Sequence, residues 1–351
     1  MVVCGLHLHL MTTIKDVAKR AKVSTTTVSY TFNQPQRVRA ETRERVLAAA
    51  AELGFRPNLH ASGLRSQQTG IVGIVVSDIR VYYSAVIARG IQEQLLQANK
   101  TGLIANTDGN QAKTRAVIQK LRQQGVRAFI FSPVPSRYDD ETLTLFQQMQ
   151  ADGIPIAFVT NEMVSFSADM VLWHAQEGVR QMVQHLVGQG HRKIGVARLK
   201  PANLMSGVKR WLGFQEGMIE ANLPLRPDYV FEGQLSFESG VRAIDYFRQL
   251  TDPPTAIVAI DDVIASGMMN RCFHLGVHVP RDLSIVGIGN TPIAQHLSPA
   301  LTTVGVDMEA MGRKSAELLL ERLTDNSLPP RKPFLDYQLA LRESVAAPQH
   351  A

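Results

Sequence analysis

The apolar residues of the first 54 positions recur at helical spacing and predict three short helices. The first helix has one apolar face, which consists of Ile14, Val17, Ala18 and Ala21. Thr13 and Ser24 stand where they can cap the first and the second helix. The third helix is expected within residues 37–54, with an apolar stripe of Val46, Leu47, Ala50 and Leu53. Three amphipathic helices of this length can close a small core.

The second helix has an unusually polar outer face. Thr25, Thr26, Ser29 and Tyr30 form a row of small hydroxyls and one phenol, which suits a nucleic-acid groove better than a core. Two short helices joined by a tight turn are the layout of a helix-turn-helix DNA reader. Taken alone, the same pattern also fits a short amphipathic helical hairpin.

The charge distribution favours DNA binding. Residues 1–69 contain ten Lys and Arg against four Asp and Glu, a balance of +6, whereas the remaining residues hold 27 of each sign. The whole net charge of +6 therefore lies in the first fifth of the chain, as a local phosphate-binding module requires.

From residue 69 onward, strands and helices alternate. The run Ile71–Val76 is short, β-branched and apolar, which is typical of a parallel sheet covered on both faces. A helix is predicted over residues 170–189, and further strands near Leu103 and over residues 128–131, 156–159, 193–196, 229–231, 256–259 and 283–287. The fold class is therefore α/β. We expect two doubly wound parallel-sheet halves, with a ligand between them at the carboxyl ends of the strands.

The sequence lacks the residues of several function classes. Its only cysteines, Cys4 and Cys272, allow neither a disulfide framework nor a thiolate metal site. A Gly-rich phosphate loop, a zinc-protease His pair and a nucleophile elbow are missing. The paired aspartates at 139–140 and 261–262 are adjacent at helix starts, so their side chains diverge and suit acid-base catalysis poorly. We therefore expect no enzyme, no cofactor and no metal.

No apolar run is long enough to span a bilayer, and the first ten residues lack the features of a secretory signal. We therefore expect a cytoplasmic protein without a membrane partner. Residues 1–11 are expected to be either a mis-called start, with Met11 as the initiator, or a disordered lead.

Many short motifs, in the right order, resemble the lactose repressor family of bacterial transcription regulators, from Thr12 to about Glu343. They include Thr-Ile-Lys-Asp-Val-Ala at 13–18, Glu-Leu-Gly-Phe-Arg-Pro-Asn at 52–58, Gly-His-Arg-Lys-Ile at 190–194 and Leu-Thr-Thr-Val at 301–304. The resemblance implies a helix-turn-helix headpiece at 12–56, a hinge helix and linker at 57–68, and a periplasmic-binding-protein-like core at 69–345. It also implies a homodimer, expected to be a repressor, whose affinity for a double-stranded DNA operator is set by a small-molecule effector.

Carried over residue by residue, the resemblance assigns the operator contacts. Thr25, Thr26 and Tyr30 are expected at base edges. The residues expected nearer the phosphates are Ser24, Thr27, Ser29, Asn33 and Arg37. Most relatives have an arginine in place of Tyr30, and arginine is the usual bidentate reader of guanine, so the half-site is expected to differ there. Leu64 matches the hinge leucine that relatives wedge between base pairs in the minor groove.

The resemblance also implies an effector site between two core subdomains. Arg210 matches the family arginine that contacts effector. Asp261 and Asp262 match a pair that opens a helix, and Asp262 is either a helix cap or a ligand contact. Tyr82 and Tyr83 form an aromatic wall or are packing residues. Thr160 stands where an aspartate is frequent.

The carboxylates that grip sugar hydroxyls in many relatives are depleted here, whereas Arg80, Arg198 and Arg210 remain. We therefore expect a sugar or sugar derivative as the effector, with an anionic sugar acid as one candidate. The Trp173–His174 pair is expected to pack rather than to bind.

The core is expected to divide into subdomain one, about residues 69–160 and 292–324, and subdomain two, about residues 161–291 and 325–345. Two other functions stay open. A solute-binding protein of the same core fold would need export and has no use for a basic headpiece. A DNA-binding protein with a degenerate, ligand-free core fits the sequence as well.

Overall fold

A computed structural model describes residues 12–55, 70–132, 138–159, 166–200 and 205–349. The chain divides into two compact units, a headpiece up to Thr69 and a core from Gly70 onward. Each unit has its own cluster of buried apolar side chains.

The headpiece contains the helices α1 (Ile14–Ala21), α2 (Thr25–Asn33) and α3 (Ala40–Glu52), with a 3-10 turn at Pro35–Arg37. The buried core is formed by Val17, Ala18, Ala21, Val28, Val46, Ala49 and Ala50. The predicted stripe of α3 is wrong at Leu47, which is 43% exposed, whereas Ala49 is 5% exposed. Successive helical residues are turned by about 100°, so Val46, Ala49 and Ala50 share the inner face and Leu47 leaves it.

Local bonds fix how α1 meets the other helices. The backbone N–H of Thr13 donates to Asp16 Oδ2 at 2.8 Å, as the predicted start signal requires. Lys22 ends α1 with φ of 54°, in the left-handed region that favours glycine. Arg45 Nε on α3 donates to the carbonyl of Ala21 at 3.0 Å, so α3 holds the C-terminus of α1.

The strands and helices of the core alternate along the chain. The strands are β1 (Ile71–Val76), β2 (Thr101–Asn106), β3 (Phe129–Ser132), β4 (Ile156–Val159), β5 (Asp169–Trp173), β6 (Ile194–Leu199), β7 (Val230–Gly233), β8 (Ala256–Ala259), β9 (Ser284–Ile288), β10 (Thr302–Val306), β11 (Phe334–Leu335) and β12 (Tyr337–Ala340). The helices are α4 (Tyr82–Gln97), α5 (Gln111–Gln123), α6 (Asp140–Ala151), α7 (Ala175–Gly188), α8 (Met205–Glu220), α9 (Phe237–Arg248), α10 (Asp262–His274), α11 (Pro292–His296) and α12 (Met308–Thr324). A second 3-10 turn lies at Pro227–Tyr229.

The strands form two sheets, which confirms the predicted fold class. Sheet one has the order β11-β5-β4-β3-β1-β2, and sheet two has the order β12-β10-β9-β8-β6-β7. The strand pairs are parallel, apart from β12, which is antiparallel to β10. The carboxyl ends of β3, β4 and β6 lead into residues 133–137, 160–165 and 201–204, outside the described part of the chain.

The helix predicted over residues 170–189 is wrong at its start, because Asp169–Trp173 forms strand β5 before α7 begins. Every residue of β5 is buried, so the segment has no alternation that could distinguish a strand from the first turn of a helix.

The expected subdomain boundaries also shift. β5 and β11 pair within sheet one and β10 pairs within sheet two, each on the other side from the expected division. Helix α12 then packs against α4 and sheet one. The chain therefore crosses between the halves near His174, Asp307 and Asp336. Each crossing joins segments whose pairing partners are distant in sequence, so the pattern alone does not show it.

Two glycines allow α4 and α12 to pack closely. A Cβ atom at Gly90 would collide with the carbonyl oxygen of Glu309, and one at Gly312 would collide with that of Ile87. Because both obstacles are backbone atoms, neither can yield by a rotamer change.

We predict that Gly90→Ala lowers the free energy of unfolding by about 1–3 kcal/mol, because the two helices must separate. The matched control is Gly188→Ala at the end of α7, where an added Cβ would meet nothing within 4 Å. Urea unfolding of the two variants and the parent measures the difference. Equal stability of Gly90→Ala and the parent would show that the helices have room to adjust.

Candidate functional site

Helix α2 presents one polar face and buries the other. Val28 is fully buried and Thr31 is almost so, whereas Thr25 and Thr26 are exposed and Tyr30 is 37% exposed. Ser24 Oγ accepts from the backbone N–H of Thr27 at 3.0 Å, which confirms the predicted cap. The buried side of α2 therefore fixes which hydroxyls face outward.

The exposed end of α2 carries an interaction that the sequence did not reveal. The Arg37 guanidinium lies 5.8 Å from the centre of the Tyr30 ring, within reach of a cation–π contact. The 3-10 turn at Pro35–Arg37 brings Arg37 back toward Tyr30. Seven residues separate the two, and the helix ends between them, so no sequence periodicity connects them.

The structure describes the other residues that were predicted to contact an operator only in part. The Ser24 and Thr27 hydroxyls lie 2.9 Å apart and bond to each other, and Ser29 is partly buried. Asn33 ends α2, but its side chain lies outside the described part of the headpiece, as does the whole of Leu64. The visible face thus combines short hydroxyl side chains, a phenol and a cation.

In the core, a cavity lies between the two sheets. The sheet-one side contributes Tyr83, Ile87, Trp173, Met308 and Met311. The sheet-two side contributes Arg210, Gly289, Gly305 and Val306. Between these described side chains the cavity has a volume of about 30 Å³, enough for water but not for a sugar. The described side chains of the two halves therefore lie close together at this point.

Among the described residues of the cavity wall, Arg210 is the charged one. Its Nη1 donates to the carbonyl of Ile260 at 2.7 Å and to Asp261 Oδ2 at 3.2 Å. Its guanidinium carbon lies 5.9 Å from the centre of the Trp173 ring, across the cavity. The side chain is only 11% exposed, and its Nε is buried without a hydrogen-bond partner. A buried N–H of this kind calls for an acceptor.

Asp261 caps helix α10 beside Arg210. Its Oδ1 accepts from the backbone N–H of Val263 at 3.1 Å. Burial raises the pKa of Asp261 to about 6, against the opposing effect of the Arg210 charge, and the neighbouring Asp262 adds to the rise. Asp261 is therefore a carboxyl group that can change its protonation near neutral pH.

The partners of Asp262 fit neither of its two expected roles, which were a helix cap and a ligand contact. The cap of α10 is Asp261, and the fully buried carboxylate of Asp262 faces away from it. Asp262 accepts from the Thr291 N–H at 2.7 Å, the Thr291 hydroxyl at 2.9 Å and the Thr303 hydroxyl at 2.6 Å. Burial raises the pKa of Asp262, and these bonds oppose the rise. In the structure, Asp262 therefore holds neighbouring segments of sheet two together through hydrogen bonds.

The two adjacent tyrosines point different ways. Tyr83 lines the cavity, and burial raises the pKa of its phenol. Tyr82 is 42% exposed and is not part of the cavity wall. Thr160 lies outside the described residues. Trp173, expected only to pack, lies in the wall, and His174 stacks on Phe334 at 4.5 Å.

Two of the three arginines on which the anionic effector was predicted are engaged elsewhere. Arg80 is exposed and pairs with Asp78 at 2.8 Å. Arg198 pairs with Glu232 and lies 4.4 Å from the centre of the Trp211 ring, away from the cavity wall. Of these three arginines, only Arg210 therefore supports the prediction of an anionic effector.

Of the helices in the described ranges, none has the length and apolar character needed to cross a membrane. Within the same ranges, no group of His, Cys, Asp and Glu is arranged to hold a metal ion.

Comparison with known proteins covers both units. Residues 13–58 match the bacterial regulatory proteins of the lacI family, and residues 183–345 match the periplasmic binding protein-like domain. The chain is 32% identical over 337 residues to the HTH-type transcriptional repressor PurR of Escherichia fergusonii, covering 96% of this chain and 97% of the relative. It is 30% identical to PurR of Photobacterium profundum, covering 95% of this chain and 99% of the relative.

Two solved structures extend the likeness to three dimensions. A lac repressor dimer bound to operator and the anti-inducer ONPF has a TM-score of 0.85 and 26% identity, over 96% of this chain and 99% of that one. A complex of the transcriptional regulator CelR with cellobiose has a TM-score of 0.69 and 27% identity, over 95% of this chain and 99% of that one.

Proposed function

Because this chain belongs to the lacI family of bacterial regulatory proteins and is a DNA-binding transcriptional repressor with an effector-binding core, we propose that a small effector beside Arg210 controls its operator affinity. One observation above all supports this proposal. Arg210 lines a cavity between two sheets, and its buried Nε has no hydrogen-bond partner among the described residues.

The proposed operator reader is the exposed face of α2. Thr25, Thr26 and Tyr30 face the bases in the major groove. The side chains nearer the phosphates are Ser24, Thr27, Ser29, Asn33 and Arg37. The burial of Val28 on the opposite face supports this orientation. Leu64 remains a prediction as the minor-groove wedge.

The proposed complex is a homodimer on a roughly palindromic duplex, in the cytoplasm. A lac repressor of similar fold is a dimer on its operator. The charge of +6 in residues 1–69 supports binding that weakens steeply with salt, because each neutralised phosphate releases counterions.

Tyr30 is predicted to set base preference and Arg37 to contribute general affinity. Tyr30→Arg should change the preferred base at one position of each half-site by about 1–3 kcal/mol, because arginine reads guanine with two hydrogen bonds. Arg37→Ala should weaken binding to all sequences alike and reduce the salt slope by about one. Binding-site selection followed by salt titration of the selected duplex measures both.

An unchanged selected sequence for Tyr30→Arg would make Tyr30 a packing residue. Because Arg37 lies over the Tyr30 ring, a change of base preference in Arg37→Ala would show that Arg37 also orients the phenol. Sedimentation of the parent with its selected duplex should give two chains per duplex.

The proposed control works through the two halves of the core. A ligand that binds Arg210 on sheet two and touches Trp173 on sheet one changes the relative stability of open and closed arrangements. The three crossings near His174, Asp307 and Asp336 are where such a motion would be absorbed. Coupling of this kind is reciprocal, so the operator also alters effector affinity.

One observation favours the alternative of a ligand-free core. The cavity between the described side chains has a volume of only about 30 Å³, which is too small for a sugar. Under this alternative, the repressor would bind its operator with an affinity that no small molecule changes.

Arg210→Ala should leave operator affinity nearly intact and abolish the response to effector. An effector typically changes the affinity for a second ligand by about 5–150-fold, and this change should disappear in the variant. The matched control is Arg198→Ala, which removes an arginine of the same half from outside the cavity. Fluorescence anisotropy of labelled operator, screened against sugars, sugar acids, phosphosugars and carboxylic acids, measures both.

A normal response in Arg210→Ala would place the effector elsewhere. A parent protein that responds to none of the screened compounds would support the ligand-free core.

A further inference from the structure

The two sides of the cavity differ in chemistry, and this difference restricts the ligand. On the sheet-one side, the described residues are Ile87, Met308, Met311, Trp173 and Tyr83, all apolar or aromatic. Such a side packs well against hydrocarbon or an aromatic face, but it offers few partners for a ring of hydroxyl groups.

The sheet-two side carries two glycines, Gly289 and Gly305, beside Arg210 and Val306. Gly289 has φ of 141°, a conformation that L side chains rarely adopt. A Cβ at Gly305 would collide with the carbonyl oxygen of Gly289. Neither position can carry a side chain without a shift of the backbone, so at these two positions only backbone faces a ligand. A flat ring can therefore lie against that backbone.

The charged side chain in the described part of the wall is that of Arg210, on the sheet-two side. Arg210 uses Nη1 for Ile260 and Asp261, which leaves the buried Nε without an acceptor. The Nε edge of a guanidinium matches a carboxylate, which can take two parallel N–H bonds in the fork geometry. A neutral carbonyl would satisfy Nε with a single, weaker bond.

We infer that the effector is a small cyclic carboxylic acid whose carboxylate binds the Nε edge of Arg210 and whose apolar ring lies between Trp173 and the wall formed by Gly289 and Gly305. This inference rests on the proposed effector control and names the ligand class of the same site. The sequence predicted a sugar or a sugar acid as the effector. The present inference keeps the anionic group but replaces the polyhydroxylated ring with an apolar ring.

Charge balance couples binding to a proton. Among the described residues, the charged and titratable groups around the site are Arg210 from α8, Asp261 and Asp262 from α10, Tyr83 from α4, and Asp78, which follows β1 and faces Tyr83. Asp262 is held by its threonine donors, and the Tyr83 phenol stays neutral because burial raises its pKa. Asp261 is therefore the group that takes up a proton from solvent when a second carboxylate arrives at Arg210.

Entry of a ring also requires the closed halves to part. A cavity of about 30 Å³ accepts water but no ring compound, so Trp173 must move away from Arg210 as the ligand enters. The cation–π contact between these two residues thus occupies the site in the closed form, and the ligand carboxylate replaces it.

Four probes at about 10 mM separate the two features of the ligand in thermal-shift measurements on the full chain. Benzoate and cyclohexanecarboxylate combine an apolar ring with a carboxylate. Benzamide keeps the ring without the charge, and glucuronate keeps the charge on a polyhydroxylated ring. We expect the first two to raise the melting temperature and the last two to leave it nearly unchanged.

The pH dependence and three variants give a second readout. Benzoate affinity should fall by up to about tenfold per pH unit above about pH 6, because binding takes up one proton. Asp261→Asn should remove this pH dependence. Arg210→Lys should weaken benzoate binding by at least about tenfold, because lysine lacks the fork, whereas Arg198→Lys should not.

Equal stabilisation by benzamide and benzoate would overturn the carboxylate, and stabilisation by glucuronate but not benzoate would overturn the apolar ring. No shift with any probe would overturn the ligand class as a whole. None of these results touches the proposed effector control, which is decided separately by the response of the operator complex to the wider screen. A benzoate effect that survives Arg210→Lys unchanged would place the ligand outside this site.

Discussion

The arrangement of the core site depends on one buried carboxylate, that of Asp262. A buried, unpaired carboxylate would destabilise the fold by several kcal/mol, on the order of the whole stability of a domain. Here three donors from Thr291 and Thr303 bind it, and they join the start of α10 to the segment after β9 and to β10. A Cβ at Gly287 would collide with Asp262 Oδ1, so glycine is needed where this strand passes the carboxylate.

The position of Asp262 determines what its neighbour does. Adjacent side chains at a helix start point in different directions, so when the carboxylate of Asp262 is held inside sheet two, that of Asp261 points elsewhere. Asp261 then meets Arg210, which keeps one edge of its guanidinium unpartnered. In this account Asp262 stabilises the fold of sheet two, and Asp261 sets the charge beside Arg210 in the proposed effector site.

The sequence predicted those features that depend on local chemistry. The caps of α1 and α2 and the alternation of strands and helices follow from residues within one or two turns of each other. The features it missed depend on distant partners. The strand β5 has no alternating pattern, and the pairing of Arg198 with Glu232 follows from the register of β6 against β7. Thr291 and Thr303 are 29 and 41 residues from Asp262, so the sequence could not distinguish a structural carboxylate from a ligand contact.

The most direct test of this division between the two aspartates is the free energy of unfolding of Asp262→Asn and Asp261→Asn, measured by urea denaturation near pH 7. We expect Asp262→Asn to lose at least about 2 kcal/mol, because the amide adds donors where three donors already converge. Asp261→Asn should lose clearly less, because the amide keeps the size and an acceptor oxygen while removing a desolvated charge. An equal or larger loss for Asp261→Asn would contradict the account.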